Sequence, residues 1–145
     1  MAQGEQLCTF RLGQLHLGVP VQDVQEVIRY QDMTRVPLAA SMVRGLINLR
    51  GQIVTAIDLR RRFNLPDRTA NELPMNVVVR TDDGPVSLLV DEIGDVIEVD
   101  RSTFELPPQT LDAHTSSLVT GLYKLDAHLL LVVDTQRAAH SSNAS

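Results

Sequence analysis

The chain has 145 residues, with Lys+Arg 13 against Asp+Glu 18 and a formal net charge of −5. That length fits one domain able to bury roughly 70% of its unfolded surface. The acidic balance argues against a general polyanion binder, so no nucleic-acid partner is expected.

Hydrophobic residues make up 43% of the chain and aromatics only 3%, with no Trp, so the core is expected to be aliphatic. Cys8 is the single cysteine and has no internal disulfide partner, which predicts a buried thiol in a reducing compartment. The first residues lack a basic n-region and a long apolar h-region. No apolar run approaches the roughly 18–20 residues that span a bilayer. The expectation is a soluble cytoplasmic protein without direct membrane insertion.

In chain order, Leu7 to Leu12 alternates with Cys8, Phe10 and Leu12 on one side, and Gly13-Gln14 turns the chain into a returning strand at Leu15, Leu17 and Val19. Val24, Val27 and Ile28 stand at helical spacing, which predicts a short helix within Gln22 to Tyr30. Two apolar strands, Leu46 to Leu49 and Ile53 to Ile57, flank an Arg50-Gly51-Gln52 turn, where Gly51 supplies positive φ. Asp58 is placed to cap a short helix over Leu59 to Phe63. Asn64 to Pro74 is polar, holds two prolines and reads as a connector. Met75 to Arg80 and Val86 to Val90 flank Asp82-Asp83-Gly84, a hairpin signal, and Ile93 to Val99 continues as strand. Thr103 to Ser117 reads as loop. Leu118 to Leu125 and His128 to Val133 form a last hairpin before a helix capped by Asp134, and residues 141–145 form a disordered tail.

The chain also repeats itself. VQDVQEVI, Val21 to Ile28, aligns with VDEIGDVI, Val90 to Ile97; GLINLRGQIVTAID, Gly45 to Asp58, aligns without a gap with GLYKLDAHLLLVVD, Gly121 to Asp134. Two matches in the same order predict two similar β-subdomains sharing an interface, because units that small are marginal alone. The repeat separates framework from function. Gly45, Gly121, Asp58 and Asp134 recur and are assigned to the fold, as is the turn residue Gly51. Arg50 aligns with Asp126, Asn48 with Lys124, and Arg60-Arg61-Arg62 with Thr135-Gln136-Arg137, so these positions are free to differ in role.

No catalytic constellation emerges, and neither a metal nor a cofactor is expected. His16, His114, His128 and His140 are scattered, without H-x-x-x-H or C-x-x-C spacing. His16 and His128 read as solvated surface residues. No G-x-S-x-G elbow, G-x-x-x-x-G-K-[ST] or G-x-G-x-x-G occurs. Asp91, Glu92, Asp95, Glu98 and Asp100 read as the polar side of a strand, and Arg60 to Arg62 as a solvated or partner-facing edge.

The segment GLINLRGQIVTAIDLRRRF resembles the signature of the CheW-like chemotaxis coupling domain. VQEVIRYQDMTRVP, SLLVDEIGDVIEV and LVTGLYKLDAHLLLVVD stand in that family's order, and the resemblance covers nearly all of Leu7 to Ala139. It implies a mainly β fold of two intertwined five-stranded SH3-like β-barrels with short helices, packed around an apolar interface. The single domain would span residues 5–140. Its first subdomain is expected near 15–75 and its second near 76–134, joined by the N-terminal strand region.

The resemblance further implies a non-enzymatic scaffold, a monomer in isolation, coupling chemoreceptor cytoplasmic tips to the regulatory domain of a CheA-type histidine kinase at membrane-associated receptor arrays. On that basis Arg50 and Glu26 match positions of partner binding and signal transmission. Val24, Ile93 and Val96 resemble positions lining or adjoining the receptor-binding surface, and Asn48, which the repeat leaves free to differ, is counted with Arg50 among the partner-binding residues. Thr55 stands where the family usually carries proline, and Ser87 where a glycine is usual. A non-flagellar chemosensory pathway, or a small-ligand-binding or enzymatic barrel, are the alternative readings.

Overall fold

The computed structural model describes residues 4–140, so the tail 141–145 lies outside the described residues. Ten strands, counted among those residues, form two five-stranded sheets of the same design. The first barrel holds β3 (Val24–Ile28), β4 (Val43–Leu49), β5 (Gln52–Asp58), β6 (Met75–Thr81) and β7 (Gly84–Val90), in the order β3-β6-β7-β5-β4. The second holds β1 (Gly4–Leu12), β2 (Leu15–Pro20), β8 (Glu92–Asp100), β9 (Val119–Lys124) and β10 (Leu129–Val133), in the order β8-β1-β2-β10-β9. Each sheet has one parallel pair, β5 with β7 and β2 with β10, and is otherwise antiparallel. The repeat is therefore structural: β3, β4 and β5 correspond to β8, β9 and β10, and β6 and β7 correspond to β1 and β2.

Two expectations are corrected here. The helix expected within Gln22 to Tyr30 is a 3-10 turn at Val21–Asp23 followed by β3, which pairs with β6 from Val24↔Val79 to Ile28↔Asn76. Val and Ile are stiff at χ1 and suit an edge strand, and pairing with β6 outweighs a helical spacing spread over so few residues. The subdomain boundary expected near residue 75 also moves. β6 and β7 belong with β3 to β5, so the first barrel is continuous from Val24 to Val90, and β2 joins β1 in the second.

Apolar runs explain why the barrels stay together. Along β6, Val77 and Val79 enter a large core shared by both sheets, while Val78 points into the first barrel with Ile47, Leu49 and Val54. Along β10, Leu131 and Val133 enter the shared core, while Leu130 and Val132 line the second barrel with Leu7, Val99 and Tyr123. A strand buried on both faces needs apolar residues at every position, which is what Val77 to Val79 and Leu130 to Val133 provide. Cys8 lies in the shared core, and burial pushes its thiol pKa up. Ser87, fully buried in β7, donates to Asn76 Oδ1 at 2.7 Å, so its hydroxyl is satisfied where a glycine was expected. β5 runs unbroken through Thr55.

The recurring glycines admit a crossing strand. A Cβ on Gly45 would lie 2.7 Å from the Thr34 carbonyl oxygen, and one on Gly121 2.4 Å from that of Glu105. In each barrel that crossing residue makes an isolated bridge, Thr34↔Leu46 and Glu105↔Leu122. Helix α1 (Leu59–Arg62) begins at Asp58, which accepts from Arg60 N, and α3 (Thr135–Ala139) begins at Asp134, which accepts from Arg137 N. The segment expected to be loop also carries one turn of helix, α2 (Ala113–Ser116), capped by Asp112.

Candidate partner-binding surface

The β4–β5 hairpin turns on two residues, Arg50 at φ 52 and Gly51 at φ 87, with strand pairing resuming at Leu49↔Gln52. Positive φ at both central positions is the geometry of a type I′ turn, whose twist matches its strands. Gly51 adopts it freely; a non-glycine residue at the first position is less favoured. Asn48 Oδ1 accepts from Gly51 N at 2.9 Å and pins the turn, so the structure gives Asn48 a local role within the hairpin.

The fixed tip aims Arg50 at β3. Its guanidinium makes a two-pronged contact with Glu26, Nη1 to Oε2 at 2.6 Å and Nη2 to Oε1 at 2.9 Å. β3 and β4 are the two ends of the strand order, so this pair bridges one edge of the first barrel to the hairpin of the other. Glu26 is 18% exposed while Arg50 is 77% exposed, leaving the outer face of the guanidinium toward solvent. The Arg50 hydrogen bonds hold the Glu26 carboxyl below its usual range and raise the Arg50 pKa, so both are charged near neutrality. Two exposed apolar side chains lie on the same sheet, Val27 on β3 at 36% and Ile53 on β5 at 60% exposure, with Ile53 paired to Asn48 in register. The alternation of Ile53 with the buried Val54 was the sequence signal for that outward face.

Ile93 and Val96 lie elsewhere, on β8 at the edge of the second barrel. Val96 is 56% exposed, whereas Ile93 packs partly against the shared core. Val24, at the start of β3, packs against the same core from the first barrel. The candidate residues thus form two groups: Arg50, Glu26 and Asn48 at the hairpin, and Val24, Ile93 and Val96 on the two edge strands β3 and β8.

Two surface readings are corrected, and two surface histidines prove to be stacked. Arg60 to Arg62 form no free edge. Arg60 binds Asp91 through Nε at 2.9 Å and Nη2 at 2.6 Å, Arg61 pairs with Asp67, and Arg62 donates to the Arg137 carbonyl. Asp91 is not on a solvated face either, since it also accepts from Gly13 N at 2.7 Å and ties β8 to the β1–β2 turn. Burial raises its pKa, but the Arg60 and Gly13 hydrogen bonds with the Arg68 and Arg60 charges outweigh that and set it below the usual carboxylate range. His16 and His128 stack on each other, ring centroids 3.7 Å apart, and burial, then the charges of His128 and Arg11, lower the His16 pKa.

A residue missed from sequence is Arg68, in the connector. Its side chain is 5% exposed and bridges Asp58 (Nη1–Oδ1 3.1 Å) and the Leu89 carbonyl (Nη2–O 3.2 Å). Its Nε lies 2.8 Å from Asp91 Oδ1 as an ion contact without hydrogen-bond geometry. Among the described residues, no three His, Cys, Asp or Glu side chains are grouped to hold a metal, and no helix is long and apolar enough to cross a membrane.

The structure is a two-barrel β scaffold with an outward-facing charge pair and exposed apolar edge residues. The CheW-like domain family matches residues 6–143, and the chain belongs to that family. It is 31% identical over 131 residues to the chemotaxis protein CheW of Bacillus subtilis, covering 90% of this chain and 84% of that protein. It is 29% identical over 136 residues to the chemotaxis protein CheW of Treponema pallidum, covering 91% of this chain and 80% of that one. The crystal structure of the scaffolding protein TtCheW from Thermoanaerobacter tengcongensis superposes with a TM-score of 0.81 at 28% identity, covering 94% of this chain and 86% of that chain.

Proposed function

We propose that this protein is a non-enzymatic chemotaxis scaffold that couples the cytoplasmic tip of a chemoreceptor to the regulatory domain of a CheA-type histidine kinase, and so works at membrane-associated receptor arrays. The observation that carries this reading is the Arg50–Glu26 pair, held by a fixed turn and left open on its outer face. A free ion pair at the surface contributes little to stability, so its worth lies in recognition. A partner that covers Arg50 removes water from a guanidinium already oriented by Glu26, which strengthens the contact and fixes register.

For the receptor tip, the resemblance points to Val24, Ile93 and Val96 on the edge strands β3 and β8, with Val96 the exposed one, in the helix-in-groove manner. Family membership and the chemotaxis proteins it resembles support the pathway. Co-purification of the protein with a histidine kinase regulatory domain tests the reading. Complex formation lost in Arg50→Ala supports it. A substrate-dependent thermal shift without kinase or receptor would favour a small-ligand or enzymatic barrel instead.

A further inference from the structure

The internal repeat makes one hollow in the second barrel directly comparable with a filled one in the first. In the first barrel, the space beside Asp58 is occupied by Arg68, whose guanidinium reaches the Asp58 carboxylate and the Leu89 carbonyl. The aligned repeat makes Asp134 the counterpart of Asp58 and Thr120 that of Arg44. The parallel registers, Ala56↔Ser87 and Val132↔Gly18, make Pro20 the counterpart of Leu89. Asp134, Thr120 and Pro20 all line an open hollow of about 420 Å³. Among the described residues no segment enters it; after β10 these comprise α3 and His140.

The lining matches the shape and charge of an arginine side chain. Phe104, Tyr123 and Val132 give an apolar wall for an alkyl stem, with the two rings edge to face at 5.3 Å. Three carboxylates, Glu5, Asp23 and Asp134, meet one cation, Arg101. Asp58 serves Arg60 N, Arg44 and Arg68, whereas among the described residues the Asp134 carboxylate accepts from Arg137 N and meets Arg137 Nε at 3.6 Å, which leaves acceptor capacity.

The neighbouring position agrees. In the first barrel Arg61 pairs with Asp67, the residue before Arg68; its counterpart Arg137 is 64% exposed and bound only to its own helix cap and the Ser117 carbonyl.

We infer that the hollow between Asp134, Pro20 and Tyr123 is a docking site for an arginine side chain of a partner protein, presented after an acidic residue as Arg68 follows Asp67. The inference rests on the comparison of the two barrels and stands apart from the coupling reading.

The test uses the intact protein and three probes: a capped peptide copying residues 64–70, the same peptide with citrulline replacing the arginine, and agmatine. Amide shifts of Thr120, Thr135 and Gln136 in heteronuclear NMR report the hollow. The arginine peptide is expected to shift them and the neutral citrulline peptide to bind at least about tenfold more weakly, the loss of one charged hydrogen bond. Asp134→Asn, which retains a capping side chain, is expected to weaken the arginine peptide similarly at an unchanged melting temperature. Equal binding of the citrulline peptide, no shift in the hollow at millimolar peptide, or full affinity in Asp134→Asn would each overturn the inference. So would shifts confined to Asp58 and Leu89, which mark displacement of the protein's own connector. Agmatine binding as tightly as the peptide would assign the hollow to a small cation and overturn the protein source.

Discussion

The two barrels share one strand order and one cap-and-glycine framework, yet they spend charge in opposite ways. In the first, Asp58 is fully buried and gathers Arg44, Arg68 and, more distantly, Arg61. In the second, Asp134 is 25% exposed and, among the described residues, its one cationic partner is Arg137. The hairpin tips differ in the same sense. Arg50 faces Glu26 in the first barrel, while the aligned positions in the second are Asp126 and Asp95, both acidic. The first barrel is stapled by arginines and presents one; where it has Arg44 and Arg50, the second has Thr120 and Asp126. Duplication preserved what backbone geometry requires and left charge free to diverge.

The largest effect should separate the two caps. Asp58→Ala removes the cap and leaves the buried Arg68 without its principal partner, which should cost about 3–5 kcal/mol. Asp134→Ala should cost about 1 kcal/mol, the usual loss of an exposed cap. Urea unfolding midpoints measure both, and equal losses would erase the distinction between the barrels. Next come the crossing glycines. Gly45→Ala and Gly121→Ala each push a methyl against a backbone carbonyl, and each should lose roughly 1–3 kcal/mol by thermal melting. A near-neutral Gly121→Ala would show that Phe104 and the bridge at Glu105 give way more readily than Thr34 does.

A smaller effect concerns acid. Asp91 has a depressed folded pKa, so the stability it contributes is present above its unfolded value near 3.8 and is lost as pH falls through the folded value. Stability measured from pH 6 downward should therefore drop less steeply in Asp91→Asn than in the unaltered protein. Its counterpart in the second barrel is Gln22, where substitution should leave the acid limb unchanged. Parallel acid limbs for the Asp91 variant and the unaltered protein would count against the staple.

These comparisons mark what sequence could disclose. The repeat, the hairpins, the aliphatic core and both caps were legible because each rests on local spacing or on a match between two segments. The Asn48–Gly51 contact was local too, an Asx side chain at the start of a turn. β3 was misread because Val24, Val27 and Ile28 satisfy helical spacing, and only its partner β6, about fifty residues away, decides for strand. The arginine staple was invisible for the same reason: Arg60 and Asp91 stand 31 positions apart and looked solvated when each was read in its own segment. The Arg50–Glu26 pair is likewise non-local, and only the family resemblance joined the two residues before the fold did.

Arg50 is where the comparison bears on function. Because the pair is open to solvent, Arg50→Ala should leave the melting temperature essentially unchanged, the smallest stability effect among these variants. The most direct measurement is titration of the folded Arg50→Ala protein against a kinase regulatory domain and a receptor tip. The account predicts at least about tenfold weaker binding to one of them, a loss of roughly 1.4 kcal/mol. Unchanged affinity for both, with normal kinase activation, would contradict it.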